Sequence, residues 1–209
     1  MRFDIITIFP KILDSYLNES ILKRAQKKGL IKINTHNLRD FTIDKHRKVD
    51  DTPYGGGPGM VFKAEPIVKA VAKIKSKNKS RVILFSLRGE KFNQKTAHRL
   101  AQYSQLIFIC GRYEGVDERV AKYVADEEIS IGDFVLSGGE LPAAMVIEAV
   151  SRLVPGVLGK FDSLEELKGT YPAYTKPEIA EIKGKKRYAP KILLSGDHKK
   201  INEWRTKQS

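Results

Sequence analysis

The chain contains a single cysteine, Cys110, so no intramolecular disulfide is available to it. That cysteine ends the apolar run LIFIC and reads as a buried strand residue rather than a nucleophile. No His/Cys cluster has zinc spacing. A GxxxxGK loop followed by Ser or Thr is missing, and so is a GxGxxG after a strand; these absences exclude the standard nucleotide loops. The segment GGGPGM has no Lys-Ser behind it, which argues against nucleotide hydrolysis. No apolar run reaches the length of a membrane span. The opening MRFDIITIFP has too short an apolar run, and too early an acid at Asp4, for a signal peptide. Internal repeats and low-complexity tracts are absent. Together these absences lead us to expect a cytoplasmic globular protein.

Acid is also scarce relative to base. Lys and Arg number 38 against 25 Asp and Glu, a net charge of +13. Such a surplus favours polyanions through counterion release and long-range steering. Nucleic acid is the expected partner; a membrane is not, because no helix pairs a clean apolar face with a basic one. Charge alone does not separate RNA from DNA, and a generally lysine-rich composition is the alternative source of the surplus. From Lys176 onward ten basic side chains face four acidic ones, which marks that segment as a nucleic-acid arm, the alternative being a solvated tail.

At 209 residues, with 41% hydrophobic and 30% charged side chains, the chain can bury a core and form one or two domains. Arg2 to Phe9 reads as a buried strand. Residues 11 to 28 carry Ile12, Leu13, Leu17, Ile21, Leu22 and Ala25 at helical spacing, with Gly29 as a stop. A second strand follows at 31 to 36, then a long charged and Gly-rich loop from Arg39 to Met60. Helices are expected at Glu65 to Ile74, Asn93 to Gln102, Asp117 (as cap) to Val124, and Leu141 to Val154. Short buried strands are expected at Val82 to Phe85 and Leu106 to Ile109. Such alternation predicts an α/β domain with a mainly parallel sheet flanked by helices. Pro155 and Gly156 open a polar linker, and a last helix is expected from near Asp197 through Trp204.

The densest signal runs from Ile109 to Pro142. Gly111, Gly115, Gly132, Gly138 and Gly139 fall close together there, in the turns GRYEG, SIGD and LSGGE. Backbone, not side chains, must approach something closely at these turns. GRYEG directly follows the strand ending at Cys110, and ligands of parallel sheets gather at the carboxyl ends of strands. Ordinary surface turns are the alternative.

Long motifs now set the resemblance. FDIITIFP, RDFTIDKHRKVDDTPYGGGPGM, ICGRYEGVDERV, SIGDFVLSGGELP, SRLVPGVLG, YPAYTKP and ILLSGDHKKINEWR occur in that order. With them the chain resembles the bacterial TrmD-type tRNA (guanine-N1)-methyltransferases of the SPOUT class. The resemblance implies a deep trefoil knot in the C-terminal part of the α/β domain, although knots are rare exceptions among folds. It implies a SPOUT domain over 1–156, a linker over 157–171, and a small, shortened, helical, basic tRNA-binding domain over 172–209. It further implies a homodimer whose active site is shared between subunits.

The same resemblance implies S-adenosylmethionine as cofactor, cradled by Ser86, Leu87, Gly111, Tyr113, Glu114, Gly115, Ser130, Ile131, Gly132, Phe134, Leu136, Gly138, Gly139 and Pro142. Adenine offers a flat apolar face and an edge of donors and acceptors, which Gly backbone can pair with where no side chain intervenes. Ile131 and Leu136 would form apolar walls, and Glu114 would meet the amino group, the sulfonium or an optional Mg2+ ion. The implied reaction is methylation of N1 of the guanosine immediately 3′ of the anticodon, giving 1-methylguanosine. N1 must lose a proton while charge moves onto O6. Asp162 is implied as the base and Arg152 as the cation beside O6. From the residues alone, Asp162 reads instead as a helix cap. Lys45, His46, Arg47 and Lys48 would hold phosphates, and Asp50 and Gly59 would border a flipped guanine.

The chain departs from the family pattern at several points. Leu87 stands where Pro is usual, Thr170 replaces an acid, Ala173 replaces a His, the linker before Asp162 is short, and a last basic helix is missing after Trp204. Two rivals remain at this stage: a methyltransferase for a ribose 2′-hydroxyl, and an RNA-binding protein that keeps the fold without catalysis.

Overall fold

A computed structural model describes residues 1–158 and 171–208. The chain divides into two compact units, Met1–Leu158 and Gly159–Ser209.

The first unit is built on five parallel strands: β1 (Arg2–Thr7), β2 (Lys32–Asn37), β5 (Ser80–Lys91), β6 (Gln105–Ile109) and β7 (Glu127–Ser130), in the order β2-β1-β6-β5-β7. A separate antiparallel pair, β3 (Asp50–Asp51) and β4 (Val61–Phe62), closes the long loop between β2 and β5. Side chains alternate across the sheet with the period of two that strands impose. Phe3, Ile5, Ile83, Leu106 and Phe108 pack on one face, against α1 (Asp14–Leu17), α2 (Ser20–Lys27), α4 (Gln94–Leu100) and α6 (Glu140–Ser151). Ile6, Val82, Leu84, Ile107 and Ile109 pack on the other, against α3 (Ala64–Ile74) and α5 (Glu118–Tyr123). Phe108 lies near-parallel to Phe3 and Phe85, with ring centroids 6.4 and 5.7 Å away. Truncating such a fully buried ring costs about 3–5 kcal/mol.

Local chemistry sets the helix ends. Asn93 accepts from the Thr96 N–H at 2.9 Å to start α4, and Asp117 accepts from the Arg119 N–H at 2.9 Å to start α5. Along α3, Ile67, Ala70, Val71 and Ile74 recur on the buried side at i, i+3, i+4 and i+7.

Three expectations need correction. The helix expected over 11 to 28 is two helices, because Ser20 takes φ 48° and the chain turns between Leu17 and Ser20. The short strand expected at Val82 to Phe85 extends to Lys91. Phe85 and Glu90 both pair with Ile129, so residues 86 to 89 leave the ladder and return to it. Gly89 permits the return: a Cβ there would lie 2.5 Å from the Ile129 nitrogen. Strand β7 was not anticipated at all. In the second unit the described residues are not purely helical. A hairpin of β8 (Ile179–Ile182) and β9 (Lys185–Tyr188) precedes α7 (Lys191–Leu194) and α8 (His198–Gln208). Trp204 of α8 meets Tyr174 edge-on with centroids 6.4 Å apart, and Arg205 stacks over Tyr171 at 4.8 Å.

Candidate active site

A cavity of about 430 Å³ opens at the carboxyl ends of β5, β6 and β7, within the roughly 300–1,000 Å³ usual for ligand pockets. Three segments wall it: the excursion of β5, the turn after β6, and the loop from Ile131 to Gly139 that leads into α6. Ser86, Leu87, Gly111, Tyr113, Glu114, Gly115, Ser130, Ile131, Gly132, Phe134, Leu136, Gly138, Gly139 and Pro142 all line it. The apolar surface comes from Leu87, Phe134 and Leu136, which stay exposed although they are large.

The glycines do two different jobs. A Cβ on Gly139 would lie 2.7 Å from the Cys110 Cα, and the Gly139 N–H donates to the Gly111 carbonyl at 3.1 Å. A Cβ on Gly138 would run into the Arg112 side chain. These two therefore accommodate the chain's own crossing, where the loop before α6 presses on the turn after β6. Gly115, with φ 105°, has open space where a Cβ would go and faces the cavity. Gly59 joins the site from the long loop: it has φ 84°, and a Cβ there would lie 2.5 Å from the Glu114 Oε1. The Glu114 N–H donates to the Met60 carbonyl at 3.0 Å, and the Phe62 N–H donates to Gly115 at 3.0 Å. Glycine-rich loop and glycine turn are thus zipped together by backbone.

Of the long loop's other residues Val49 is buried in the core, and most of the charged ones lie at the surface. Asp44 accepts from the backbone N–H groups of Lys48 and His46, and these bonds hold its carboxyl below the usual range. The bend this makes exposes Lys45, His46 and Lys48. Arg47 has φ 52° and pairs with Asp40 at 3.4 Å. Asp50 opens β3 opposite Phe62. Arg152 is half-buried at the end of α6. Asp162 and Thr170 lie outside the described residues. Among the described residues no three His, Cys, Asp or Glu side chains gather as a metal-ligand group.

Several cavity residues escaped the sequence reading. Arg88 lines the rim, paired with Glu118 at 2.8 Å and 3.8 Å from Glu128, which both line the cavity too. Arg112 lines it as well and is anchored to the buried Glu140, at 3.0 Å. Arg112 and Glu140 were within reach of sequence reasoning, since each sits inside one of the glycine motifs. Arg88 and Glu128 were not, because their positions depend on the excursion of β5. Cys110 is fully buried, and burial pushes its thiol well above the ordinary range. The Glu140 carboxylate adds to the rise and Arg112 opposes it.

The family model described as tRNA (Guanine-1)-methyltransferase TrmD matches residues 1–209. A tRNA (guanine-N(1)-)-methyltransferase of Carboxydothermus hydrogenoformans is 55% identical, covering 100% of this chain and 83% of the relative. One of Dictyoglomus turgidum is 56% identical (100% and 85%), and one of Thermomicrobium roseum 54% (98% and 77%).

Proposed function

Because the chain belongs to the TrmD family of tRNA (guanine-1)-methyltransferases, we propose that it methylates N1 of the guanosine immediately 3′ of the anticodon in tRNA, giving 1-methylguanosine. S-adenosylmethionine is the donor in this reading. The observation that carries it is the juxtaposition of a glycine-walled cavity with the basic, glycine-rich loop through Gly59 and Glu114.

The cavity suits that donor on its own chemistry. Cavity-lining backbone at Gly111, Gly115 and Gly132 can pair with the edge of an adenine, and Leu87, Phe134 and Leu136 can cover its faces. Glu114 would face the positive amino acid end. When bound, the donor supplies a methyl group on a sulfonium, already electrophilic.

This chain's residues then have three tasks. Lys45, His46, Arg47 and Lys48 bind phosphate, and Asp50 and Gly59 border the guanine. Asp162 takes the N1 proton, and Arg152 holds the charge that moves to O6. An Asp is a weak base, with a reference pKa of about 3.9, but attack coupled to proton removal lowers the basicity required. Replacing Asp162 by Ala should therefore cut turnover about 10²–10⁴-fold and leave donor binding in place, as measured by calorimetry.

The reading extends to architecture. The tight crossing at Gly139 supports a trefoil knot. Leu141 and Met145, one turn apart on α6, are exposed, as are Ile12 and Tyr16 of the adjoining α1 region; such a face supports a homodimer with a shared site. Basic residues on and around the hairpin, Lys183, Lys185, Lys186 and Arg187, support tRNA contact by residues 172–209. No described helix is long and apolar enough to cross a membrane, and action on tRNA, in this reading, supports a cytoplasmic location.

The test is methyl transfer from labelled donor to tRNA transcripts with guanosine or adenosine at that position, followed by nucleoside identification. 1-Methylguanosine formed only with guanosine supports the proposal. A 2′-O-methylated product, or donor binding without transfer, refutes it.

A further inference from the structure

We propose that Glu140 is a positioning residue for donor binding, acting through Arg112 to hold the Gly111–Gly115 turn against the loop before α6 ahead of any ligand. The inference rests on the donor reading above. Glu140 is 1% exposed and does not line the cavity. It closes a ring of four side chains from three distant parts of the chain. The Thr7 hydroxyl accepts from the Phe9 N–H at 3.0 Å and donates to Glu140 Oε1 at 2.6 Å. Arg112 Nε donates to Glu140 Oε2 at 3.1 Å, and a terminal guanidinium nitrogen lies 3.0 Å from the same oxygen. The guanidinium then stacks over the Phe9 ring, 4.9 Å from its centroid, which completes the ring.

Packing alone does not call for this arrangement. An apolar residue at 140 would fill the same space without the desolvation cost of a buried ion pair. A carboxylate is favoured when its direction matters, and here the Thr7 hydroxyl fixes the carboxylate that in turn aims Arg112. Arg112 lies between Gly111 and Tyr113, both on the cavity wall. Tyr113 takes φ 59°, uncommon for a residue with a side chain, and meets Phe62 edge-on with centroids 5.8 Å apart. The turn is thus gripped on one side by Phe62 and on the other by Glu140. Arg112 also fills the space where a side chain on Gly138 would go, so it is the spacer that sets the gap between the two cavity walls. Glu140 sits in the first turn of a twelve-residue helix, so the helix fixes its backbone.

Two nearly isosteric variants of the full chain test this: Glu140→Gln, which removes the charge, and Thr7→Val, which removes the hydroxyl's two hydrogen bonds, to Glu140 and from the Phe9 N–H. Without donor, amide hydrogen exchange should accelerate in residues 109–116 and 136–142 and stay slow elsewhere in the sheet. In Glu140→Gln, donor binding should weaken about ten- to a hundredfold, the scale of losing a hydrogen bond to a charged group. The donor KM should rise while kcat at saturating donor and tRNA affinity stay within about twofold. Thr7→Val should show the same pattern more weakly, and it decides the matter if Glu140→Gln fails to fold. Unchanged exchange and donor affinity would overturn the inference. So would uniform loss of protection across the sheet, the mark of packing alone. If the wild-type chain bound no donor, the donor reading would fall, and exchange in the two segments would still decide whether the lock exists.

Discussion

The two ends of the parallel sheet treat buried acid in opposite ways. Toward the amino ends, Asp4 is fully buried and its carboxylate receives hydrogen bonds from Arg2 at 2.5 Å, Gln105 at 2.7 Å, His36 at 2.8 Å and Asn34 at 3.0 Å. Nothing there is left to offer a ligand. Toward the carboxyl ends, Glu140 is satisfied in the same manner, but Glu114, Glu118 and Glu128 line an open cavity. One end uses its polar groups to hold the fold; the other buries one acid and keeps its neighbours on the cavity surface, Glu118 paired with the rim residue Arg88. A buried carboxylate is therefore poor evidence of a site by itself, and what decides is whether its partners belong to the chain.

The strongest test of that division is Gly139→Ala. A Cβ pressed to 2.7 Å from the Cys110 backbone cannot be relieved by a side-chain rotation. Stability should fall by about 3 kcal/mol, as overpacking predicts, and donor binding should fall with it. Denaturant midpoints and calorimetry would show both losses. Donor affinity retained at the wild-type level would mean the crossing is not part of the site.

Asp4→Asn attacks the other end. It should cost about 2–3 kcal/mol, the value of charged hydrogen bonds in a buried network, and leave transfer per folded molecule within about twofold. The same residue sets an acid limit. Burial raises its pKa, but hydrogen bonds from His36, Arg2, Gln105 and Asn34 outweigh burial and hold it below the ordinary value. Its contribution to stability is therefore complete above about pH 4 and is lost as the pH falls through the lower folded value. Melting of wild type and Asp4→Asn should converge as the pH drops below that point; curves that stay parallel would contradict the assignment.

The smallest effect is expected at Gly59→Ala. Here the obstacle is the mobile end of Glu114, so the fold loses only about 1 kcal/mol, mainly from the positive φ. Transfer should fall more than stability, because Glu114 must move. Equal, small losses in both would show that the contact carries no function.

What the sequence disclosed, and what it hid, follows the same geometry. The cavity wall was legible because its glycine turns sit at strand ends, where parallel sheets place ligands. The reason for two of those glycines was not: Gly138 and Gly139 answer to Arg112 and Cys110, contacts made across a crossing that no local pattern reveals. The break between α1 and α2 was hidden because apolar spacing continues through Ser20. Strand β7 was hidden because only Ile129 and Ser130 of its four residues are buried. Glu127, which looks like surface charge, is held by Arg81 at 2.8 Å and Arg99 at 2.6 Å. The hairpin of the second unit has no alternation to read, since seven of its eight strand residues are exposed.

The four-residue ring also orders events in time. Thr7 leaves a ribosome 133 positions ahead of its partner Glu140. Strand β1 cannot even be flanked on both sides until β6 has been made. A nascent chain therefore carries its first strand, its long basic loop and half its cavity wall well before the wall can be latched, and contacts of such long sequence separation form late. Competence to hold a donor should arrive as a single step near the end of synthesis of the first unit. A chain stalled short of Glu140 would be one that can meet RNA but has nothing to transfer.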